Sequence, residues 1–502
     1  MNKHRMGQCT RAYHYCIILF LILAIVGIAV VSAASDNTII GFRWDTSDPS
    51  PRLYQIDSTG ATIPNKDATF WDNWAVTGNM KTVVVNPENG TVNYGTNNRG
   101  DGLDLSGASG DVMVEIPRFY TCSTYANGNF FYYISPFPAL GFTVAPMFNQ
   151  RGTGTAAGTP ASYYYVGRYD ASLVGNKLQS ATGKAPVVSM TIGQARIYAE
   201  NKGTGWGITN IWTLSGLRQL FYTEMLTLDS QAAWTKSGGI VDTFATINTG
   251  ADSIDTQISA NNATGSGTGE NGKTPVSYRG IENLWGNVWQ FQDGFNAIQG
   301  TTNVISPTGL GTTGQKTTFK DVLDATDVQS VGALVLDEGY QTNLMNTDVA
   351  RPLFLPSAVG GSKTTYLSDD YLGPQSKNSS APNILLSGGS WNYIGDVGIG
   401  RLLAYHYPSR SYEHFGARVE FRRNTAPEAP VYFRNPLASE SPVFSGTTPA
   451  TARPTTVPAI TPGDSNFSLP VIIILIVLFL TGGGYALYRM KKTPSGDQPS
   501  RK

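Results

Sequence analysis

The sequence predicts an α+β, loop-rich fold that leans to β, with a β-rich N-terminal region and a C-terminal transmembrane helix. Three observations carry this. Short apolar runs between Gly, Pro, Asn and Asp clusters fill Ile39 to Ala145. Two stretches after Met190 place apolar residues at three- and four-residue steps. Leu469 to Leu487 is apolar and uncharged, about the length that crosses a bilayer core, and Arg489, Lys491 and Lys492 follow it.

At the start, Lys3, His4, Arg5 and Arg11 precede an apolar run from Cys16 to Val31 that closes on Val31-Ser32-Ala33-Ala34, a small-residue cleavage pattern. The expectation is a secretory signal over residues 1–34, with an uncleaved anchor as the alternative. Residues 35–165 then form the β-rich region, where WDTSDPSPRLY, TVVVNPENGTVNYG and GDVMVEIPRFYTCSTYANGNFFYYI read as strands and turns. Asn127-Gly128 between two aromatic runs predicts a tight hairpin. Thr191 and Gln194, at capping-box spacing, start a short helix through Ala195, Ile197, Tyr198 and Ala199. Leu214, Leu217, Leu220, Phe221 and Met225 mark a second. Asn248 to Thr274 and Gly300 to Gln315 read as long surface loops. Residues 166–423 make the second part of the body, and residues 424–468, rich in Pro, Thr and Ser, an extended stalk. Residues 469–488 would span a membrane and 489–502 form a cytoplasmic tail, because positive residues stay inside. The chain is thus expected at the cell surface as a single-pass membrane protein with an extracellular body.

Composition narrows the partners. Lys and Arg number 36, as do Asp and Glu, and the cations form no stripe, which argues against nucleic acid. Cys9 and Cys16 fall in the signal, leaving Cys122 as the one thiol of a cleaved chain, so no intrachain disulfide can form there. Stability must come from an apolar core. Sequons at Asn89, Asn262, Asn378 and Asn466 fit an exterior glycoprotein.

The densest information lies in LSGGSWNYIGDVGIGRLLAYHYPSRSYEHFGARVEF, Leu386 to Phe421. Gly388 and Gly389 admit backbone angles closed to other residues, and Trp391 offers a rigid body for a core. Between them and Arg418 lie Tyr393, Asp396, Arg401, Tyr405, His406, Tyr407, Arg410, Tyr412 and His414, with neither helical nor strand period. Interleaved aromatic and polar groups are the composition of a binding surface, since Tyr supplies rigid amphipathic area at low entropy cost. The alternative is an ordinary aromatic-rich loop.

Read in order, GFRWDTSDPSPRLYQI, GDVMVEIPRFY, YYISPFPALGFTVAPMF, GTGWGITNIWTLSGLRQLFYTEM, KTPVSYRGIENLWGNVWQF, LFLPSAVGGS and the final GGSW…FGARV resemble successive blocks of one family. It comprises phage and prophage tail-fibre-type proteins and variable proteins of diversity-generating retroelements, which carry a C-type lectin-like fold of the formylglycine-generating-enzyme kind. The resemblance spans about Ile39 to Arg422. It implies a ligand-binding module, an adhesin rather than an enzyme, whose partner is a protein or glycan on another cell or particle. Gly388, Gly389, Trp391, Gly398, Gly416 and Arg418 match the fixed frame. Tyr393, Gly395, Asp396, Gly400, Arg401, Leu403, Tyr405, His406, Arg410, Tyr412 and His414 fall where the family varies. Adenine-directed change of Asn codons cannot give Lys, Gln, Glu, Met or Trp, and from Asn392 to His414 only Glu413 is of those types.

The formylglycine-generating relatives suggest a rival, an oxidase using paired cysteines in the terminal segment, yet no Cys lies between Gly388 and Arg423. The spacing of His406 and His414 fits no zinc or acid/base motif. The same relatives imply a calcium loop at Asn283, Gly286, Val288 and Gln290, with Gln290 standing where they have Glu; losing that carboxylate lowers the charge of the site. As structure alone, the stretch packs Trp285 and Trp289 and pins a turn with Asn287. A passive envelope protein would share the anchor and the sequons. Substitutions concentrated between Tyr393 and His414 in sister sequences would separate it from a diversified binder.

Overall fold

Runs of β-branched and aromatic residues, interrupted by glycines and asparagines that accept left-handed angles, build three principal sheets. The computed structural model describes residues 38–48, 50–149, 160–233, 248–249, 262–267, 275–298, 301–305, 328–361, 367–372, 382–393 and 397–423. The chain divides into two units, Met1–Phe444 and Ser445–Lys502, and every described residue belongs to the first.

A five-stranded antiparallel sheet runs in the order Tyr54–Asp57, Ile40–Asp45, Asn129–Ser135, Tyr120–Ala126, Thr143–Val144. Its central hairpin turns at Asn127 and Gly128, with φ of 51° and 78° and with Ala126 facing Asn129, the two-residue turn expected for Asn-Gly. A six-stranded sheet runs Trp206–Ile208, Val419–Phe421, Tyr163–Gly167, Asp111–Pro117, Lys81–Val85, Val92–Tyr94. It takes strands from both sides of residue 165, so the N-terminal region and the terminal segment share one sheet.

The third sheet has nine strands and carries the terminal segment. Trp289–Ile298 pairs with Asn383–Gly388, which pairs with Gly398–Leu403, and Phe415–Gly416 lies parallel to the start of Trp289–Ile298. Thr301–Ile305, expected within a loop, is a strand between Trp289–Ile298 and Val328–Ala333. Its β-branched residues suit a strand, and the neighbours that pair with it are invisible to a local reading.

Helix α1 (Ala68–Asn73) is short. Helix α2 (Ile192–Glu200) begins at the expected capping box, with Thr191 Oγ1 accepting from the Gln194 amide at 3.2 Å and Gln194 Oε1 accepting from the Thr191 amide at 2.9 Å. Helix α3 (Ile211–Met225) is capped by Asn210 and buried on all sides from Ile211 to Thr223. Its polar side chains therefore need internal partners. Gln219 donates to the Tyr133 carbonyl, Ser215 to that of Pro352 and Arg218 Nε to that of Ile399.

Two large apolar clusters and a small one around Val84, Val112 and Tyr169 fill the described body. The larger gathers Trp44, Trp74, Tyr132, Phe221 and Trp285 among its members. The second lies under the terminal segment and contains Trp206, Trp289, Phe291, Leu403, Phe415 and Phe421.

Two expectations are corrected. The described residues are mostly β-sheet with few helices, so the α+β class gives way to a β-dominated one. Among the described residues no helix is long and apolar enough to cross a membrane. Residues 469–488, on which the transmembrane expectation rested, lie outside the described residues, as do the signal, stalk and tail. The single-pass membrane placement at the cell surface is not retained.

Candidate functional site

The terminal segment is anchored by backbone positions that tolerate no side chain. Strand Asn383–Gly388 ends in two left-handed glycines, Gly388 at φ +92° and Gly389 at φ +76°. A Cβ on Gly388 would stand 2.8 Å from the Leu284 carbonyl oxygen, and one on Gly389 2.8 Å from Val397 Cγ1. Trp391 follows, buried, its amide donating to the Asn287 carbonyl at 3.1 Å.

Several expected contact positions lie inside. Arg401 is 1% exposed, and its guanidinium carbon sits 4.5 Å from the centroid of the Tyr393 ring and 5.4 Å from that of Trp289. The two rings meet edge to face at 5.7 Å. Cation–π attraction strengthens as water is excluded, so this group knits the sheet rather than reaching outward. Leu403 belongs to the second core. Gly400 is buried, and its carbonyl accepts from Gln341 Nε2 at 2.9 Å. Tyr393 is half-buried against both clusters. Gly395 and Asp396 lie outside the described residues.

Tyr405 to His414 behave differently. No helix or strand forms from Tyr405 to His414, yet the backbone is pinned repeatedly. The Tyr405 carbonyl accepts from Asn383 Nδ2 at 2.7 Å, and the His406 carbonyl from the Ile384 amide at 2.8 Å. The Tyr412 carbonyl accepts from the Ser189 and Phe415 amides, and the His414 carbonyl from the Trp289 amide. Fixing the main chain from behind leaves the side chains to the surface. Tyr405, Ser409, Arg410, Ser411 and Glu413 are exposed; His406, Tyr407, Tyr412 and His414 are half-buried.

The rings of Tyr405, His406, Tyr412 and His414 form one cluster on Phe415. Tyr412 stacks on His414 with centroids 5.5 Å apart, while His406 meets Tyr405, Tyr412 and Phe415, each at 5.2 Å. Burial, with Arg410 and His414 nearby, pushes His406 down to about 4. Burial also lowers His414, opposed by Glu413, whose carboxylate is 3.8 Å from Nδ1. Burial favours the neutral form of both imidazoles, and among the described residues His406 Nδ1 has no hydrogen-bond partner. The patch is an uncharged aromatic platform rimmed by Arg410 and Glu413.

Two positions of the expected calcium loop, Gln290 and Asn283, bond a side chain of the protein itself, that of Arg418. Asn283 and Gly286 take φ of 50° and 94°, and Val288 is buried against Gly416. Gln290 Oε1 accepts from Arg418 Nε at 3.1 Å, and Asn283 Oδ1 from the Val276 amide at 3.3 Å. Both side-chain oxygens that a metal would require are already acceptors. Arg418 also bonds Asp170, whose carboxyl burial raises to about 6 against the opposing pull of Arg418 and Asn287. Sequence reasoning missed Asp170. Its only local sign is a carboxylate within the buried run Tyr164 to Ser172, a charge that needs a partner.

Among the described residues no group of three or more His, Cys, Asp or Glu is placed to hold a metal. Cys122 is half-buried on strand Tyr120–Ala126, and burial pushes its thiol up to about 11, far from a reactive thiolate.

No family model matches the chain, and no curated protein matches it. Among solved structures it is similar to the P3c and U1 variants of the Major Tropism Determinant. Each is 12% identical, over 78% of this chain and 85% of that chain, with a TM-score of 0.25. The M1 variant is similar at 12% identity and a TM-score of 0.24, over 78% of this chain and 84% of that one. A likeness at this level does not decide what the site does.

Proposed function

We propose that the chain is a non-enzymatic ligand-binding protein of the C-type lectin-like kind, an adhesin whose contact surface is the pinned segment Tyr405 to His414. One observation carries the reading: the backbone of this segment is held by the core while Tyr405, Arg410 and the edges of Tyr412, His406 and His414 remain open to solvent. Tyr and Arg combine contact area with directional bonding, which is why they dominate binding hot spots. Fixed main chain lowers the entropy that binding would otherwise lose. The partner class is a protein or glycan on another cell or particle.

Retroelement diversification is the finer part of the reading. Buried Gly400, Arg401 and Leu403 bear on it, because exchange there disturbs the sheet; variation is best tolerated from Tyr405 onward. A library randomised at Tyr405, Tyr407, Ser409, Arg410 and Ser411 should retain mostly protease-resistant members. One randomised at Gly388, Gly389, Trp391, Arg401 and Gly416 should retain few. Equal loss in both would remove the distinction between surface and frame on which the proposal stands.

A further inference from the structure

Arg418 is fully buried and all five of its N–H groups face acceptors. Nε donates to Gln290 Oε1 at 3.1 Å. Nη1 donates to the carbonyls of Gly167 and Arg168 at 2.9 and 3.0 Å. Nη2 donates to Asp170 Oδ1 at 2.8 Å and to the carbonyls of Glu282 and Asn283 at 2.6 and 3.1 Å. Asp170 is equally buried and is oriented by Asn287 Nδ2 at 2.9 Å and Gln290 Nε2 at 3.2 Å. Six oxygens, two from side chains and four from carbonyls, thus converge on one monovalent cation.

A calcium ion asks for six to eight oxygen ligands, usually with carboxylate charge among them. Here the loop's amide oxygen, Gln290 Oε1, and the Asn283 carbonyl are already bound to the guanidinium. The nearby carboxylate, Asp170, is neutralised by it. A divalent ion in the loop would meet a fixed positive charge across Gln290. We infer that Arg418 is the resident cation of this loop, joining Asn283–Gln290 to strand Tyr163–Gly167 and to the end of the terminal segment, so that the fold is independent of calcium. Gln290 then follows from the arrangement: its amide offers an oxygen to Arg418 and an N–H to Asp170, which Glu at this position would not supply.

The test uses the full chain with terbium as the calcium probe, excited through Trp285 and Trp289 in the loop, together with melting curves in millimolar calcium and in EGTA. The inference predicts no sensitised terbium luminescence and superimposable melting curves. Saturable luminescence displaced by calcium, or a melting temperature raised by calcium through preferential binding to the folded chain, would overturn it. The double variant Arg418→Ala, Gln290→Glu removes the cation and restores a carboxylate, so it should gain calcium-dependent melting. If that variant does not fold, the wild-type measurements still decide.

Discussion

The guanidinium of Arg418 and the carboxylate of Asp170 meet at 2.8 Å with both side chains fully buried. They join the residue before strand Val419–Phe421 to the segment after strand Tyr163–Gly167, 248 residues apart in sequence. Removing one partner of a buried pair leaves the other's charge uncompensated, at a cost of about 3–5 kcal/mol. Asp170→Ala should therefore lower the unfolding free energy by about that amount in urea titration; a loss under about 1 kcal/mol would mean that the pair is not structural.

The frame and the surface should separate on mutation. Trp391→Ala removes a buried ring and should cost about 3–5 kcal/mol. Arg401→Ala should also destabilise, because it withdraws the cation shared by Tyr393 and Trp289. Tyr405→Ala and Arg410→Ala should stay within about 0.5 kcal/mol of wild type. Denaturant midpoints for the four variants check this, and equal losses would place Tyr405 and Arg410 in the core.

Gly388→Ala combines a left-handed φ with a Cβ pressed on the Leu284 carbonyl. Strain of this kind costs about 1–3 kcal/mol. Alanine at the open left-handed Gly175, where a Cβ meets nothing within 4 Å, isolates the conformational part. Gly388→Ala should melt well below Gly175→Ala, and coincident melting would show that the contact with Leu284 is loose.

Acid should act on the aromatic cluster through His406. Its folded pKa, about 4, lies below the ordinary value of 6.5, so the unfolded chain binds the extra proton first. Its contribution is complete above pH 6.5 and fades as pH falls toward 4. Asp170 works in the opposite sense, since its folded value of about 6 lies above the ordinary 3.8 and stability is gained as pH falls through that window. The difference between wild type and His406→Phe isolates the histidine. The wild type should lose stability relative to the variant between pH 6.5 and 4; parallel pH profiles would show that His406 does not titrate as its burial requires.

Local signals read well in the sequence and distant ones did not. The Thr191–Gln194 capping box, the Asn127-Gly128 turn and the Gly388-Gly389-x-Trp391 anchor are chemical statements made within a few residues, and each stands in the structure as its residues dictate. Arg401 was read as a contact group because it falls where the resembled family varies, within a segment of interleaved aromatic and polar residues. Its shelter comes from Trp289, more than a hundred positions away. Arg418 was assigned to the frame, but its partner Asp170 could not be, since pairing across the chain leaves no periodic trace. The calcium loop was read from its local spacing, a signal that carries no trace of Arg418, which bonds Gln290 from 128 positions away.

The central claim is that Tyr405 to His414 make up a binding surface carried by a frame that does not depend on it. The most direct measurement compares the wild type with the combined variant Tyr405→Ser, Arg410→Ser, Tyr412→Ser on arrays of glycans and cell-surface proteins, with circular dichroism and melting of both. The account predicts that ligands retained by the wild type are lost by a variant that stays folded. An unchanged binding profile in the folded variant would contradict it and move the binding site off the terminal segment.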